Sequence, residues 1–403
     1  MKIVINAVSA KMGGAVSYLA NLLQHLPPPE SGYQFFVFLP DDTAKLLWNV
    51  PGNINLRALP SKNIGGWRRL WWEQVTLRRS LRRERVDLLF STANFAMLCC
   101  PVKQILLVRN ALYFSKTYRR MFLRKHGLRY RLAFALRRWM IVRSLRSADV
   151  LMTPTQAMLD DVTQFAKVDP RKAFVNHYGA DRRDGVAPRA VTLSEAKNPR
   201  SSAEGHTTAP AAAAEPAVIR LIYVSLYSEH KNLSTLLKAM PLLNRNGAGR
   251  FLLKTTVDPA WEGASWAVTH KDDLALAQQP AVAPWVEFLG PLGWKETREL
   301  YREGNLFVFP SLCESFGHPL VEAMAHGLPI VAADTPVNHE MCGDAAIYFS
   351  PLDSEGLAGQ IRRVASDTAL QQRLQIKGQD QARAKFCWDA HVGKILETLN
   401  SGT

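Results

Sequence analysis

Residues 309–331 have the sequence FPSLCESFGHPLVEAMAHGLPIV, and they are the most informative part of the chain about its fold. Two carboxylates, Glu314 and Glu322, stand eight residues apart with an aromatic-glycine turn and a proline between them. Pro319 suits the first position of a helix, where its missing N–H group costs nothing, and Gly327 suits the helix exit. The pattern predicts a short helix with Glu322 in its first turn, after a loop that contains Glu314.

A buried strand is predicted on each side of this helix, over residues 305–310 and 328–333. The order strand, loop, helix, strand is one unit of a parallel α/β sheet, and such sheets bind ligands at the carboxyl ends of their strands. The free N–H groups of the first helical turn suit a phosphate, and each carboxylate can then hold hydroxyl groups beside a bound diphosphate. The stretch therefore indicates a nucleotide-sugar site.

Length and composition are typical of a two-domain protein. A chain of 403 residues is long for one domain, and a hydrophobic content of 47% excludes a disordered chain. The five cysteines have no Cys-x-x-Cys spacing, which indicates reduced thiols rather than a disulfide framework or a zinc site. Residues 1–9 are too polar for a signal peptide, and no run approaches the roughly 18 apolar residues that span a bilayer. We therefore expect a cytoplasmic protein, free or peripheral on the inner face of the cytoplasmic membrane.

The positive charge is concentrated in one region. The chain has a formal net charge of +15, and residues 61–150 contain 21 Lys and Arg against four acidic residues. Tryptophan and tyrosine are interleaved with these cations over residues 66–72, 118–125 and 129–139. Arginine and tryptophan together suit the headgroup boundary of an anionic membrane, which we expect as a partner. A solvated basic face with buried aromatic residues is the alternative.

The chain divides into four segments by pattern and composition. Residues 1–181 and 217–385 each alternate strand and helix signals, which predicts two Rossmann-like α/β domains. Residues 182–216 are rich in Ala, Pro, Ser, Arg and Glu and lack an apolar period, which predicts a flexible linker or insertion. Residues 386–403 predict a closing helix with one apolar face.

The stretch at 309–331 resembles the E-x7-E signature of retaining glycosyltransferases of family 4, group 1 type. The similarity includes Ser-Phe-Gly after the first Glu and Glu-Ala-Met-Ala at the second. The resemblance implies the GT-B fold, in which two Rossmann-like domains face a central cleft. It also implies that the first domain binds the acceptor, that residues 217–385 bind the nucleotide sugar, and that the closing helix packs back on the first domain.

Residues 223–239, YVSLYSEHKNLSTLLKA, resemble the strand, loop and helix that open the donor domain of this family. Lys231 stands at the position of the phosphate-binding lysine. The companion arginine of the family falls on Leu226, so one of two cations expected at the diphosphate is missing. Arg220 and Lys254 are candidates to replace it, although no motif supports either.

The resemblance implies further residues on both sides of the cleft. The Gly-Gly loop after the first strand approaches the donor phosphate, and backbone around Leu289 pairs with the nucleobase. Arg109 and Asn110 stand where many relatives carry a His-Asp pair, and they can donate hydrogen bonds although neither is a general base near neutral pH. Residues 91–94 are expected to line the same acceptor side. The donor-binding residues expected in full are Gly13, Gly14, Leu289, Ser315, Phe316, Gly317, His318 and Glu322.

By resemblance, the activity is a retaining transfer of a hexosyl group, with Glu314 and Lys231 as catalytic residues. Glu314 would hold hydroxyls of the donor sugar and Glu322 the ribose. The sequence contains no Asp-x-Asp, so we expect no metal, and no cofactor beyond the nucleotide sugar as co-substrate. The expected acceptor is a glycan or lipid-linked glycan in the biosynthesis of a bacterial envelope polysaccharide.

Three alternatives remain open at this point. A nucleotide-sugar epimerase shares the fold, and it would isomerise the donor without an acceptor. A non-catalytic donor-binding subunit is compatible with the missing cation at Leu226. A nucleic-acid binder would explain the basic region, but the chain has no recognisable RNA or DNA motif, and we expect no nucleic-acid partner.

Overall fold

The structure is a computed structural model that describes residues 1–11, 13–47, 50–61, 66–180, 218–245, 250–260 and 267–400. The predicted linker, 182–216, lies outside the described residues.

The first half of the chain forms one parallel sheet. Its strands are β1 (Lys2–Asn6), β2 (Gln34–Pro40), β3 (Ile54–Leu59), β4 (Leu88–Ser91), β5 (Lys103–Leu107), β6 (Val150–Thr153) and β7 (Ala173–Val175). They are ordered β3-β2-β1-β4-β5-β6-β7, so the topology switches between β1 and β4. The strands are rich in Val, Ile, Leu and Phe because both faces of a parallel sheet are covered by helices.

The helices around this sheet differ in length and in how much of their surface is buried. They are α1 (Gly14–Gln24), α2 (Asp41–Ala44), α3 (Gly66–Trp71), α4 (Arg78–Arg83), α5 (Lys116–Met121), α6 (Leu128–Ser147) and α7 (Gln156–Ala166). A π-helical segment, Trp72–Leu77, joins α3 to α4. Four residues of the twenty-residue helix α6 are buried, and most of the others are exposed.

The second half forms a second parallel sheet. Its strands are β8 (Val218–Tyr223), β9 (Arg250–Thr255), β10 (Val286–Phe288), β11 (Leu306–Phe309), β12 (Ile330–Ala333) and β13 (Ala346–Phe349). They are ordered β10-β9-β8-β11-β12-β13, with the switch between β8 and β11. The helices are α8 (Leu233–Asn244), α9 (His270–Ala277), α10 (Trp294–Glu303), α11 (His318–Ala325), α12 (Pro336–Cys342), α13 (Ser354–Ser366), α14 (Thr368–Lys385) and α15 (Trp388–Asn400).

The two halves share part of their core. One cluster of buried side chains contains residues of both halves, including Tyr178, Phe316 and Trp388. The predicted α/β fold with two Rossmann-like halves is confirmed. The closing helix α15 lies against the first half, where the ring of Trp388 is 5.7 Å from that of Tyr18 on α1. None of the helices in the described part of the chain is long and apolar enough to cross a membrane.

Candidate functional site

The carboxyl ends of β8 and β11 bring together the two side chains predicted to be catalytic. β8 leads into a 3-10 turn, Glu229–Lys231, and β11 leads into the loop that carries Glu314. The two strands are neighbours at the switch point, so their loops open on the same side of the sheet. Lys231 Nζ donates to Glu314 Oε1 at 2.5 Å, and both side chains are largely buried. Each charge compensates the other, and a ligand that binds one of them has to displace its partner.

Glu322 lies on α11, where a buried tyrosine fixes one of its oxygens. Tyr301 Oη donates to Glu322 Oε2 at 2.8 Å. Burial, reinforced by this carboxylate, raises the pKa of Tyr301 well above its ordinary value, so the phenol stays a donor at neutral pH. The helix begins at His318, one residue before the predicted start, so Glu322 occupies the second turn. The prediction that it lies in the first turn was wrong, because His318 precedes Pro319 in the helix and Glu322 is therefore its fifth residue.

The N-terminus of α11 has no side-chain cap. Its N-cap residue, Gly317, has φ +80°, and an added Cβ would lie 3.1 Å from Leu320 Cδ1. The position therefore requires glycine, and the partial positive charge of the helix end is left for an anion. Because Gly317 is three residues after Glu314, this helix end lies close to the Lys231–Glu314 pair.

The glycine loop of the first half faces the second half. Gly13 has φ +57°, and a Cβ there would lie 3.1 Å from Leu226 Cδ1. A Cβ on Gly14 points towards His318, whose Cδ2 is 3.5 Å away from it. The structure therefore places this loop against two segments of the second half in which the sequence predicts donor-binding residues.

Arg109 lies beside a stack of rings at the boundary between the halves. Tyr178 stacks on His318 with ring centroids 5.0 Å apart and contacts Phe316 at 4.6 Å and Tyr18 at 4.7 Å. The guanidinium carbon of Arg109 is 5.7 Å from the centroid of the Tyr18 ring. Arg109 was predicted on the acceptor side, and the structure places it next to residues from both halves.

Charge and burial keep His318 neutral. Burial, with the positive charges of Arg109 and Lys231 nearby, lowers the pKa of His318 to about 3. Its imidazole is therefore uncharged at neutral pH, and it can donate or accept one hydrogen bond without adding charge to the cleft.

Asn110 has a structural role in the loop that follows β5. Its Oδ1 accepts from Leu112 N at 3.1 Å, which caps a 3-10 turn. Asn94 Oδ1 accepts from the N–H groups of Arg109 and Asn110 at 2.9 and 3.2 Å. The buried Asn94 thus fixes the backbone from which the Arg109 side chain projects.

Two further predicted donor-binding residues, Leu289 and Ser315, form backbone hydrogen bonds to other parts of the protein. Leu289 N donates to Thr255 O at 2.8 Å, so its N–H group serves the neighbouring strand. Ser315 O accepts from Thr155 Oγ1 at 2.9 Å, which ties the Glu314 loop to α7 of the first half.

The structure brings neither candidate for the missing cation to the site. Lys254 Nζ lies 3.1 Å from Glu303 Oε2 and 3.8 Å from Glu287 Oε2. Arg220 is exposed near the amino-terminal end of β8, whereas Lys231 follows the carboxyl end of that strand. These contacts support neither candidate, whereas the charge of Arg109 acts on His318 at the start of α11.

Two buried contacts that the sequence did not reveal hold the halves together. His126 Nε2 lies 2.9 Å from Glu229 Oε1, and Glu229 Oε2 accepts from Val268 N at 2.9 Å. Glu229 begins the turn that carries Lys231, so this contact ties the loop before α6 to that turn. His126 and Glu229 are 103 residues apart in the chain, and no local pattern pairs them.

His391 makes the second contact, between α15 and the first half. Its Nδ1 lies 3.0 Å from the carbonyl oxygen of His177, which can only accept, so Nδ1 carries the proton. Nε2 therefore accepts from Tyr18 Oη at 3.0 Å. Burial lowers the pKa of His391 to about 3, which keeps this tautomer at neutral pH.

Sequence comparisons connect the chain to glycosyltransferases. The family model described as Glycosyltransferase Family 4 matches residues 12–184, and the one described as Glycosyl transferases group 1 matches residues 219–367. The chain is 28% identical over 170 residues to O-antigen chain mannosyltransferase B of Escherichia coli, which covers 42% of each chain. It is 35% identical over 102 residues to O-antigen chain mannosyltransferase RfbU of Salmonella typhimurium, covering 24% of this chain and 29% of that one. The matches span less than half the length of these relatives.

A solved structure supports the same fold over the full length. The structure of HepE from Anabaena in complex with UDP-glucose superposes with a TM-score of 0.72 and covers 100% of both chains at 18% identity. At this identity the similarity shows that the two proteins share the fold.

Proposed function

The chain belongs to the family 4, group 1 glycosyltransferases, and from this premise we propose that it transfers a sugar from a nucleotide sugar to a hydroxyl of an acceptor glycan. The observation that carries the proposal is the Lys231–Glu314 pair at the switch point of the second sheet. An ammonium and a carboxylate at the end of adjacent strands, beside the N-terminus of α11, match the two parts of such a donor. The cation suits the diphosphate, and the carboxylate suits the sugar hydroxyls.

Donor binding exchanges the partners of this pair. Lys231 turns to the diphosphate, and Glu314 accepts hydrogen bonds from hydroxyls of the transferring sugar. Glu322, oriented by Tyr301, holds the ribose. These are binding roles, and neither carboxylate acts as a general base.

Arg109 supplies the second cation at the diphosphate. It lies close enough to His318 and to the ring of Tyr18 to act on both, and Gly14 places the first half against the same histidine. The positive charge that relatives have in the second half, at the position of Leu226, thus comes here from the first half. Transfer then depends on the approach of the two halves, because each contributes one cation.

The reaction retains the anomeric configuration without a metal ion. The leaving diphosphate is stabilised by Lys231, Arg109 and the end of α11, and it takes the proton of the acceptor hydroxyl on the same face of the sugar. Binding of the diphosphate by side-chain cations agrees with a sequence without Asp-x-Asp. Nucleotide sugar is the co-substrate, and no further cofactor takes part.

The acceptor is a lipid-linked glycan of a bacterial envelope polysaccharide, reached at the inner face of the cytoplasmic membrane. O-antigen mannosyltransferases among the relatives support this acceptor class. The exposed tryptophans Trp67 and Trp71 on α3, among the arginines of the basic region, support an anionic membrane surface as a partner. Vesicles of phosphatidylglycerol should capture the protein at low salt and release it at high salt. A protein that stays in the supernatant would favour a soluble acceptor.

A thermal-shift screen against UDP-, GDP- and ADP-sugars tests the proposal. A ligand at 100 times its dissociation constant stabilises the folded state by about 2.7 kcal/mol, which is a measurable shift. We expect one nucleotide class to stabilise the wild type and to lose most of this effect in Lys231→Met. No stabilisation by any nucleotide sugar would contradict a donor site here.

A further inference from the structure

A cavity of about 440 Å³ lies on the outer side of the basic helices. Its walls come from α5, from the 3-10 turn Leu123–Lys125 and from the start of α6. It is lined by Lys116, Arg119, Arg120, Leu123, Arg124 and Arg131. Five of the six lining residues are therefore cations.

In the described part of the chain, the charge of Lys116 acts on the carboxyl of Asp161 at more than salt-bridge distance. None of the five forms a salt bridge there, and the buried Nε of Arg119 has no hydrogen-bond partner. Like charges around one cavity repel one another, at about 0.7 kcal/mol per pair 6 Å apart in water. A bound anion with several oxygens would relieve this repulsion and fill the unsatisfied donors.

The cavity lies next to the catalytic segment. Tyr118, on the same helix as Arg119 and Arg120, packs edge-on against the ring of His230, with centroids 6.5 Å apart. His230 immediately precedes Lys231. One face of α5 thus contacts the donor-binding half while another forms the cavity, which puts the two sites about one helix diameter, or 10 Å, apart.

An apolar stripe begins beside the cavity and runs along α6. Leu128, Leu132, Leu136 and Trp139 are 68%, 62%, 44% and 61% exposed. At 100° per residue their positions fall within an arc of about 80°, over a length of about 16 Å. A stripe of this kind complements a hydrocarbon chain, and the cavity beside it complements an anionic headgroup.

We propose that this cavity binds the phosphate or diphosphate group of an amphiphilic acceptor, whose hydrocarbon chain follows the stripe on α6. The proposal rests on the proposed glycosyl transfer and adds the chemistry of the acceptor. Fixing the phosphate next to α5 would hold the first sugar of the acceptor near the Lys231–Glu314 pair. The basic region then acts as a substrate site in addition to a charged surface.

Inorganic pyrophosphate, titrated calorimetrically at low salt, is the first probe. The wild type should show two sites, the donor site and the cavity. The variant Arg120→Glu/Arg124→Glu should weaken one of them by roughly tenfold to hundredfold, and Lys231→Met should weaken the other. The matched control, Arg82→Glu/Arg83→Glu on α4, makes the same charge change at exposed arginines outside the cavity and should keep both sites. If the cavity variant and the control bind pyrophosphate equally, the cavity is not a site.

Farnesyl diphosphate is the second probe, and it tests the amphiphile. It should bind the wild type more tightly than pyrophosphate, and Leu132→Ser/Leu136→Ser should remove the difference. Equal affinity for the two probes would overturn the hydrocarbon part of the proposal. The two proposals fail independently. A wild type with no pyrophosphate site that depends on Lys231 refutes the proposed donor site, and a wild type with no site that depends on Arg120 and Arg124 refutes this inference.

Discussion

Replacing Arg109 with alanine should slow transfer, and an arginine placed at position 226 should restore it. At an effective dielectric constant of about 20, a unit charge about 6 Å from a phosphate charge contributes roughly 2.8 kcal/mol. Arg109 is only partly buried, so solvent screening reduces this figure to about 1.5–2.5 kcal/mol, which corresponds to roughly tenfold to seventyfold in kcat/KM. Arg109→Lys keeps the charge and should lose less.

The rescue follows from the position of Leu226. Its side chain is 40% exposed and lies against Gly13, so an arginine there has room and reaches the glycine loop. Arg109→Ala/Leu226→Arg should recover most of the lost kcat/KM, measured as release of nucleoside diphosphate from the donor identified in the thermal-shift screen. The matched control is Ile376→Arg, which also replaces an exposed apolar residue but lies on α14, and it should not rescue Arg109→Ala.

Two results would refute this reasoning. Wild-type kinetics in Arg109→Ala would show that the guanidinium does not act on the diphosphate. An equal loss in Arg109→Ala with and without Leu226→Arg would show that the two positions do not serve the same charge.

Glu322→Ala should mainly weaken nucleotide binding, and Glu314→Ala should mainly lower kcat, because only Glu314 contacts the transferring sugar. Each effect should be about 1.5–3 kcal/mol. Titration measures the dissociation constant of the nucleotide and steady-state kinetics measure kcat, and a variant that changes both equally would contradict these roles. Lowering the pH from 6.5 to 5 should cost about 1.7 kcal/mol of unfolding free energy through His391, because the unfolded chain binds a proton below its ordinary pKa of 6.5 while the folded residue stays neutral down to about 3. Urea unfolding of His391→Gln should show a flatter pH dependence, and a slope identical to that of the wild type would show that His391 is not the group responsible.

The sequence predicts local features well because neighbouring residues determine them. The strand at Val150–Thr153 and the loop-helix unit of Glu314 and Glu322 follow from apolar runs, a proline and glycines within a short stretch. β3 (Ile54–Leu59) was not predicted, because it lies at the sheet edge and contains Arg57, which pairs with Glu84 at 2.7 Å. An edge strand with half-exposed residues has neither a continuous apolar run nor a clean alternation.

Contacts that join residues far apart in the chain, within one half or between the halves, were beyond reach of the sequence. The ion pair of Lys231 with Glu314 spans 83 residues and was expected only as two separate binding groups. Arg109 was expected on the acceptor side because it stands where many relatives carry a His-Asp pair after a strand of the first domain. Its effect on His318 depends on how the two halves pack, which no local pattern encodes.

The stereochemistry of sugar release tests the central claim most directly. With the identified donor and no acceptor, water takes the place of the acceptor hydroxyl, and time-resolved proton NMR reports the first-formed anomer of the released sugar. We predict the same anomeric configuration as in the donor, with release slowed at least about tenfold in both Lys231→Met and Glu314→Gln. The opposite anomer, or release unaffected by either substitution, would contradict retaining transfer at the Lys231–Glu314 site.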